Sequence, residues 1–184
     1  MLKKLSFLKL WIKKEKVIDL ILFGSSVRDK SHPKDLDLCI LINDQDENKS
    51  FDLIESLAQH TKKIPQKVQI NILKTSDFWN GNTLTKTLLQ EGISIRYATP
   101  LASRFGFESQ SIFLYSLKHF TPSQRVRFHY MLNGRYGTKG MLHILQAQLW
   151  NPGTISLPIY HEDRLKEIFA LWKVKYNLKR ILIG

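Results

Sequence analysis

The sequence predicts an α/β (α+β) protein, a small mixed sheet followed by a mainly helical C-terminal region. Three observations lead there. Short apolar runs with strand character recur at 16–23, 35–42 and 67–73. Stretches with helical spacing separate the later ones, and this alternation builds a mixed sheet with helices covering one side. The charge balance then shifts beside Pro100: residues 1–99 carry 16 basic and 12 acidic side chains, against 12 and 4 in 100–184. The expected domains are therefore 1–99 and 100–184, the second being the more basic.

The elements follow in order. The N-terminal MLKKLSFLKLWIKK reads as a first helix whose leucines and Trp11 pack inward while its lysines face water. Lysines break its apolar stretches before they reach the roughly 18 residues of a spanning helix, and it carries no small-residue cleavage signature. A basic helix lying on a membrane surface is the alternative; a cytoplasmic protein is the default expectation. Residues 16–23 form a strand ended by Gly24, and 25–30 a tight connection or one helical turn. Residues 35–42 are a second strand and 43–47 a polar turn. Ser50 caps a helix to about Thr61, with Phe51, Ile54, Leu57 and Ala58 as its buried face. Residues 67–73 are a third strand, a loop carries Asp77, Phe78 and Trp79, a short helix runs over 83–91, and 93–97 is extended.

In the second part, 109–120 reads as a helix. Thr121 is the N-cap of the next, with Pro122 at its first position. MLHILQAQL is a short helix, NPG a turn, and 161–182 the longest helix, anchored by Leu165, Ile168, Phe169, Trp172, Tyr176 and Ile183. Three helices with short turns give a weak helix-turn-helix signal. An exposed apolar face on the first or last helix would allow oligomerisation.

Composition narrows the function classes. The formal net charge of +12 favours anionic partners such as nucleotides or nucleic acid. A single cysteine, Cys39, excludes an intrachain disulfide and a cysteine-rich zinc site, and the six histidines lack compact ligand spacing. Candidate nucleic-acid contacts are Arg125, Arg127, Arg135 and Lys139, with Lys173, Lys175, Lys179 and Arg180 further along and Tyr130 and Tyr136 as stacking groups; the late lysines equally suit a solvated face.

The chemistry concentrates in ILFGSSVRDKSHPKDLDLCI, residues 21–40. Asp35 and Asp37 are two apart on a strand, so both side chains leave one face. Paired carboxylates repel unless a cation, a proton or a salt bridge intervenes. Mg²⁺, which prefers oxygen and keeps ligand phosphates in its shell, is a good match; Mn²⁺ is the alternative. The same pair also fits a solvated outer face neutralised by Arg28 or Lys34. Gly24 lets backbone approach a ligand, Ser25 offers a hydroxyl, and Arg28 and Lys30 can meet negative charge.

GSSVR followed by DLDL resembles the signature of the DNA polymerase beta-like nucleotidyltransferase superfamily, especially its minimal nucleotidyltransferase domains. The likeness spans roughly residues 15–98. It implies that Asp35 and Asp37 are catalytic and hold Mg²⁺. It implies also that Gly24, Ser25 and Arg28 bind a nucleoside triphosphate, and that a nucleoside monophosphate passes to a hydroxyl acceptor on RNA, protein or a small molecule. The family's third carboxylate is absent from the strand KVQINIL, where Gln69 and Asn71 stand at the two same-facing positions. Those amides neither neutralise two cations nor act as a base. The sequence thus leaves open a catalytically impaired nucleotide- or RNA-binding module.

Overall fold

The computed structural model describes residues 5–28 and 35–184. The chain divides into two compact units, 1–107 and 108–184. Lys30, His32 and Lys34 lie outside the described residues.

The first unit holds helix α1 (Leu8–Lys14), strands β1 (Asp19–Phe23) and β2 (Asp35–Ile42), helix α2 (Ser50–Thr61), strand β3 (Lys67–Lys74), helices α3 (Thr75–Asn80) and α4 (Thr83–Glu91), and short strands β4 (Ile93–Ser94) and β5 (Thr99–Pro100). Its mixed sheet has the order β3-β2-β1-β4-β5. β2 runs parallel to β3, which requires the α2 crossover, and antiparallel to β1. Pro100, where the charge balance shifts, belongs to the sheet edge of this unit.

Helices cover both faces of the sheet, not one. Even-numbered β2 residues Leu36, Leu38 and Ile40 join Leu20 and Leu22 beneath α1 and α2, through Leu8, Trp11, Leu53 and Leu57. The odd-numbered face carries Ile21 and Cys39 beneath α3 and α4, through Phe78 and Leu88. Leu8, Trp11 and Ile12 are buried in this core, so the main apolar face of α1 is already covered by its own domain. The buried residues of α2 are Leu53, Leu57 and Thr61, whereas Phe51, expected inside, is exposed. The segment with Asp77, Phe78 and Trp79, expected as a loop, is helix α3. Among the described residues no helix is long and apolar enough to cross a membrane.

The second unit corrects the expectation of a mainly helical region. It is a four-stranded antiparallel sheet, order β7-β8-β6-β9, carrying three helices. Its elements are β6 (Glu108–Ser116), α5 (Pro122–Asn133), the single turn α6 (Met141–Ile144), β7 (Gln148–Asn151), β8 (Thr154–Pro158), α7 (Glu162–Leu171) and β9 (Lys175–Ile183). The helix expected at 109–120 is β6, because Ser111 and Phe113 point into the core with period two. The helix expected at 161–182 stops after α7, and Lys173 adopts a left-handed φ of 55° that turns the chain into β9. Tyr176 and Leu178 then pack on the core while Lys175, Asn177 and Lys179 are exposed. A sheet with a one-turn α6 does not supply the helix-turn-helix arrangement. α5 keeps its expected start and cap: Thr121 Oγ1 accepts from Gln124 N–H, Gln124 Oε1 accepts from Thr121 N–H, and Pro122 follows.

A buried ion cluster ties α7 to this sheet. Both Glu162 oxygens accept from Arg180, at 2.7 Å each, and Ser111 and Lys166 add two further donors. Ser111 and Arg180 are cross-strand neighbours on β6 and β9. Burial alone would raise the Glu162 pKa, but the hydrogen bonds from Arg180, Lys166 and Ser111 overcome it and hold the carboxyl at about 2. Because the folded value lies below the usual 4.5, this stabilisation is complete above pH 4.5 and is lost as pH falls toward 2. Glu162→Ala leaves Arg180 half-buried without its carboxylate and is expected to cost about 3–5 kcal/mol in urea unfolding at pH 7. The variant's deficit shrinks as the pH approaches 2. A deficit below about 1 kcal/mol at pH 7 would contradict this role.

Candidate active site

The site is built by the end of β1 and the start of β2. Their antiparallel register pairs Phe23 with Asp37, which brings the next residue, Gly24, beside the Asp37 side chain. Gly24 has φ of 77°, and a Cβ added there would collide with the Asp37 carboxylate, whose Cγ would lie 3.0 Å away. Glycine is thus required both for backbone angle and for space. The chain continues as a 3₁₀ turn over Gly24–Ser26, closed by Val27 N–H donating to Gly24 O at 3.2 Å and Ser26 Oγ donating to Phe23 O at 3.1 Å.

Asp35 and Asp37 share the odd-numbered face of β2 with Cys39. Further along that face α3 and α4 close the core, and burial pushes the Cys39 thiol up to about 12, leaving it a small hydrophobe. At the beginning of β2 both aspartates are half-buried instead. The parallel register sets Gln69 beside Asp37 and Lys67 beside Asp35, and both these β3 side chains are exposed. Gln69 therefore joins the row. Asn71 pairs with Cys39, one step away from the aspartates. Asp77 follows the far end of β3 and lies 4.0 Å from Lys74, so it does not complete the pair.

A third carboxylate does stand near the pair, and it comes from a helix. Glu91, the last residue of α4, is 4% exposed. Its Oε1 accepts from Gly24 N–H at 3.2 Å and its Oε2 accepts from the Arg28 guanidinium. A carboxylate at a helix C-terminus opposes the helix dipole, so Arg28 supplies the offsetting charge. Gly92 allows α4 to pack closely on β1, since a Cβ there would sit 2.8 Å from Ile21 Cγ2. The third carboxylate of the family pattern is not on β3, and Glu91 is a different group; its signal in the sequence was the Glu-Gly pair closing the helix at 83–91.

Asp37 feels all of these charges. Its pKa is raised, first by burial, then by the negative charges of Asp35 and Glu91, while Arg28 acts in the opposite direction. Among the described residues no group of three or more His, Cys, Asp or Glu side chains is arranged to hold a metal ion. The candidate donor set is therefore the two aspartates. Two hard carboxylate oxygen donors on one strand face, the negative charge of Asp35 raising the pKa of Asp37, beside a glycine turn, fit a divalent cation that completes its shell with water and ligand phosphate. Glu91 faces Arg28 and Gly24, and acts as a support.

The expected nucleic-acid residues lie in the second unit. Arg125 and Arg127 are exposed on α5; Arg135 and Lys139 are exposed in the glycine-punctuated connection that follows. The Arg135 guanidinium lies 4.8 Å from the Tyr130 ring centre and 4.4 Å from that of Tyr136.

Residues 7–97 match the family described as Polymerase beta, Nucleotidyltransferase. The first unit belongs to the DNA polymerase beta-like nucleotidyltransferase superfamily. The match contains Gly24, Ser25, Arg28, Asp35, Asp37 and Glu91 and ends before the second unit begins. A comparison with curated proteins finds no match.

The electrostatics of this nucleotidyltransferase domain give a pH test. A carboxyl whose folded pKa is raised binds its proton more readily when folded, so its contribution favours folding at low pH and is lost as pH rises through that pKa. Asp37→Asn is thus expected to raise the melting temperature of the metal-free protein at pH 7, with no gain below the usual 3.8. Mg²⁺ is expected to raise the wild-type melting temperature and leave that of Asp37→Asn nearly unchanged. A variant that melts at or below wild type at pH 7 would show that the Asp37 charge is already compensated.

Proposed function

We propose that the chain is a Mg²⁺-dependent nucleotidyltransferase that passes a nucleoside monophosphate from a nucleoside triphosphate to a hydroxyl acceptor. The observation that carries this reading is the placement of Gly24 against the Asp37 carboxylate, with Asp35 on the same strand face. Asp35 and Asp37 would hold Mg²⁺, or Mn²⁺ in its place. When bound, the ion neutralises triphosphate charge and lowers the pKa of an attacking hydroxyl. The acceptor hydroxyl gives its proton to solvent water as its oxygen forms a bond to the α-phosphorus, the bond from that phosphorus to the β-phosphate bridging oxygen breaks, and pyrophosphate leaves.

The chain's own groups have distinct tasks in this reading. Gly24 leaves room for the Asp37 carboxylate and donates its N–H to Glu91, so phosphate contact falls to Ser25 and the rest of the turn. Arg28, held by Glu91, lies close enough to favour the Asp37 anion and brings positive charge to the site. The more basic second unit would bind the acceptor.

A second reading is favoured by one observation: Gln69, not a carboxylate, is the β3 partner of Asp37. On that reading the chain binds a nucleotide or RNA without transferring anything. Incubation with α-labelled ATP, CTP, GTP or UTP, with Mg²⁺ or Mn²⁺ and total cellular RNA and protein, separates the two. The transferase reading expects label on an acceptor and a loss of about 100-fold or more in Asp35→Ala and Asp37→Ala, the scale of removing a transition-state charge stabiliser. Nucleotide binding without label transfer or pyrophosphate release would establish the second.

A further inference from the structure

The charges of the second unit are segregated. No Asp or Glu occurs between Glu108 and Glu162. The acids of α7 are engaged locally: Glu162 with Arg180 and Lys166, Asp163 with Lys166, and Glu167 with Arg164. Lys118, Arg125, Arg127, Arg135 and Lys139 have no acidic partner among the described residues, so the segment preceding α7 keeps its positive charge.

The same segment contains a groove of about 720 Å³. Its floor is the buried Phe128 and Leu132 of α5, and its walls include the exposed Val126 and Leu149. Lys118, Arg125 and His129 stand among its lining, and no carboxylate does. Asn133 Nδ2 donates to His129 O at 3.1 Å and lies 3.2 Å from His129 Nδ1. Tyr130 also lines the groove, and its ring lies against Arg135, which in turn contacts the 88% exposed Tyr136. An apolar slot of this size takes a planar group; a rim of cations takes the phosphates attached to it.

We infer that this groove binds a single-stranded polynucleotide, with an unpaired base against the apolar floor and Tyr130, and flanking phosphates on Arg125 and Lys118. A base locked in a duplex cannot turn into such a slot, whereas unpaired bases stack on aromatic side chains irrespective of sequence. The inference deepens the transferase reading, on which it rests for the acceptor role, because a polynucleotide ends in a hydroxyl. Binding itself does not depend on transfer.

The test is fluorescence anisotropy of the full chain with fluorescein-labelled 12-nucleotide oligoadenylate and oligouridylate, their deoxy counterparts, and a blunt duplex. Single strands should bind more tightly than the duplex, and affinity should fall steeply between about 50 and 200 mM salt. Tyr130→Ala should weaken binding about tenfold or more while Tyr130→Phe retains it. Arg125→Ala should reduce the slope of log affinity against log salt by about one. Folding of each variant is checked by its thermal melt. The ribo and deoxy arms identify which strand is preferred. Equal binding of duplex, unchanged binding in Tyr130→Ala and Arg125→Ala, absence of binding, or equal competition by an acidic peptide would overturn the inference. Binding without label transfer would count against the transferase reading alone; transfer to another acceptor without strand binding would count against the groove alone.

Discussion

The approach of Gly24 to Asp37 is the contact on which the site depends. It follows from the pairing of Phe23 with Asp37, which in turn follows from which face of each strand is buried. Leu20 and Leu22 must face the α1–α2 core together with Leu36 and Leu38. A one-residue slip would turn Asp35 and Asp37 into that core, a loss far larger than any local gain. Hydrophobic register therefore sets the position of both carboxylates, at a cost to stability for Asp37. The raised Asp37 pKa expresses that cost: burial and two neighbouring carboxylates disfavour the anion that the site presents.

Glu91 shows how the turn is maintained. The Gly24 N–H, at the point where β1 stops pairing, receives a buried carboxylate as its acceptor. That carboxylate sits at the unfavourable end of α4 and is held by Arg28, four residues beyond Gly24. Helix, glycine turn and arginine thus form one unit. The link explains why an arginine follows the Gly-Ser pair even without a ligand: its first task is structural, and the positive charge it brings near Asp37 accompanies that task. The second unit uses the same device, with Glu162 joining a helix N-terminus to two strands through Arg180 and Ser111.

Much of the first unit was legible in the sequence because its signals are local. β2 alternates between aspartate and leucine, and α4 ends at Glu91-Gly92; in the second unit Thr121-Pro122 marks the start of α5 in the same local way. Gly24, Asp35 and Asp37 were readable as neighbours since a strand end and a strand start face each other across one turn. Glu91 was not: its contact with Gly24 spans 67 residues and depends on how α4 packs over β1. β6 and β9 were missed for a different reason. Tyr176 and Ile183 are seven apart, which suits a helix face, yet on a strand an odd spacing puts them on opposite sides, and Ile183 is exposed. Lys173, a non-glycine residue with positive φ, gave no composition signal for the break.

On the proposed function the carboxylates of the site divide into aspartates that would hold a cation and a glutamate that holds the turn. Electron paramagnetic resonance of Mn²⁺ binding, first without nucleotide and then with a non-hydrolysable ATP analogue, measures this division directly. Wild type should bind Mn²⁺, Asp35→Asn and Asp37→Asn should lose that binding, and Glu91→Gln should keep the Mn²⁺ signal of the nucleotide-free protein while binding the analogue more weakly. Loss of Mn²⁺ in Glu91→Gln as complete as in Asp37→Asn, or retention in both aspartate variants, would contradict it.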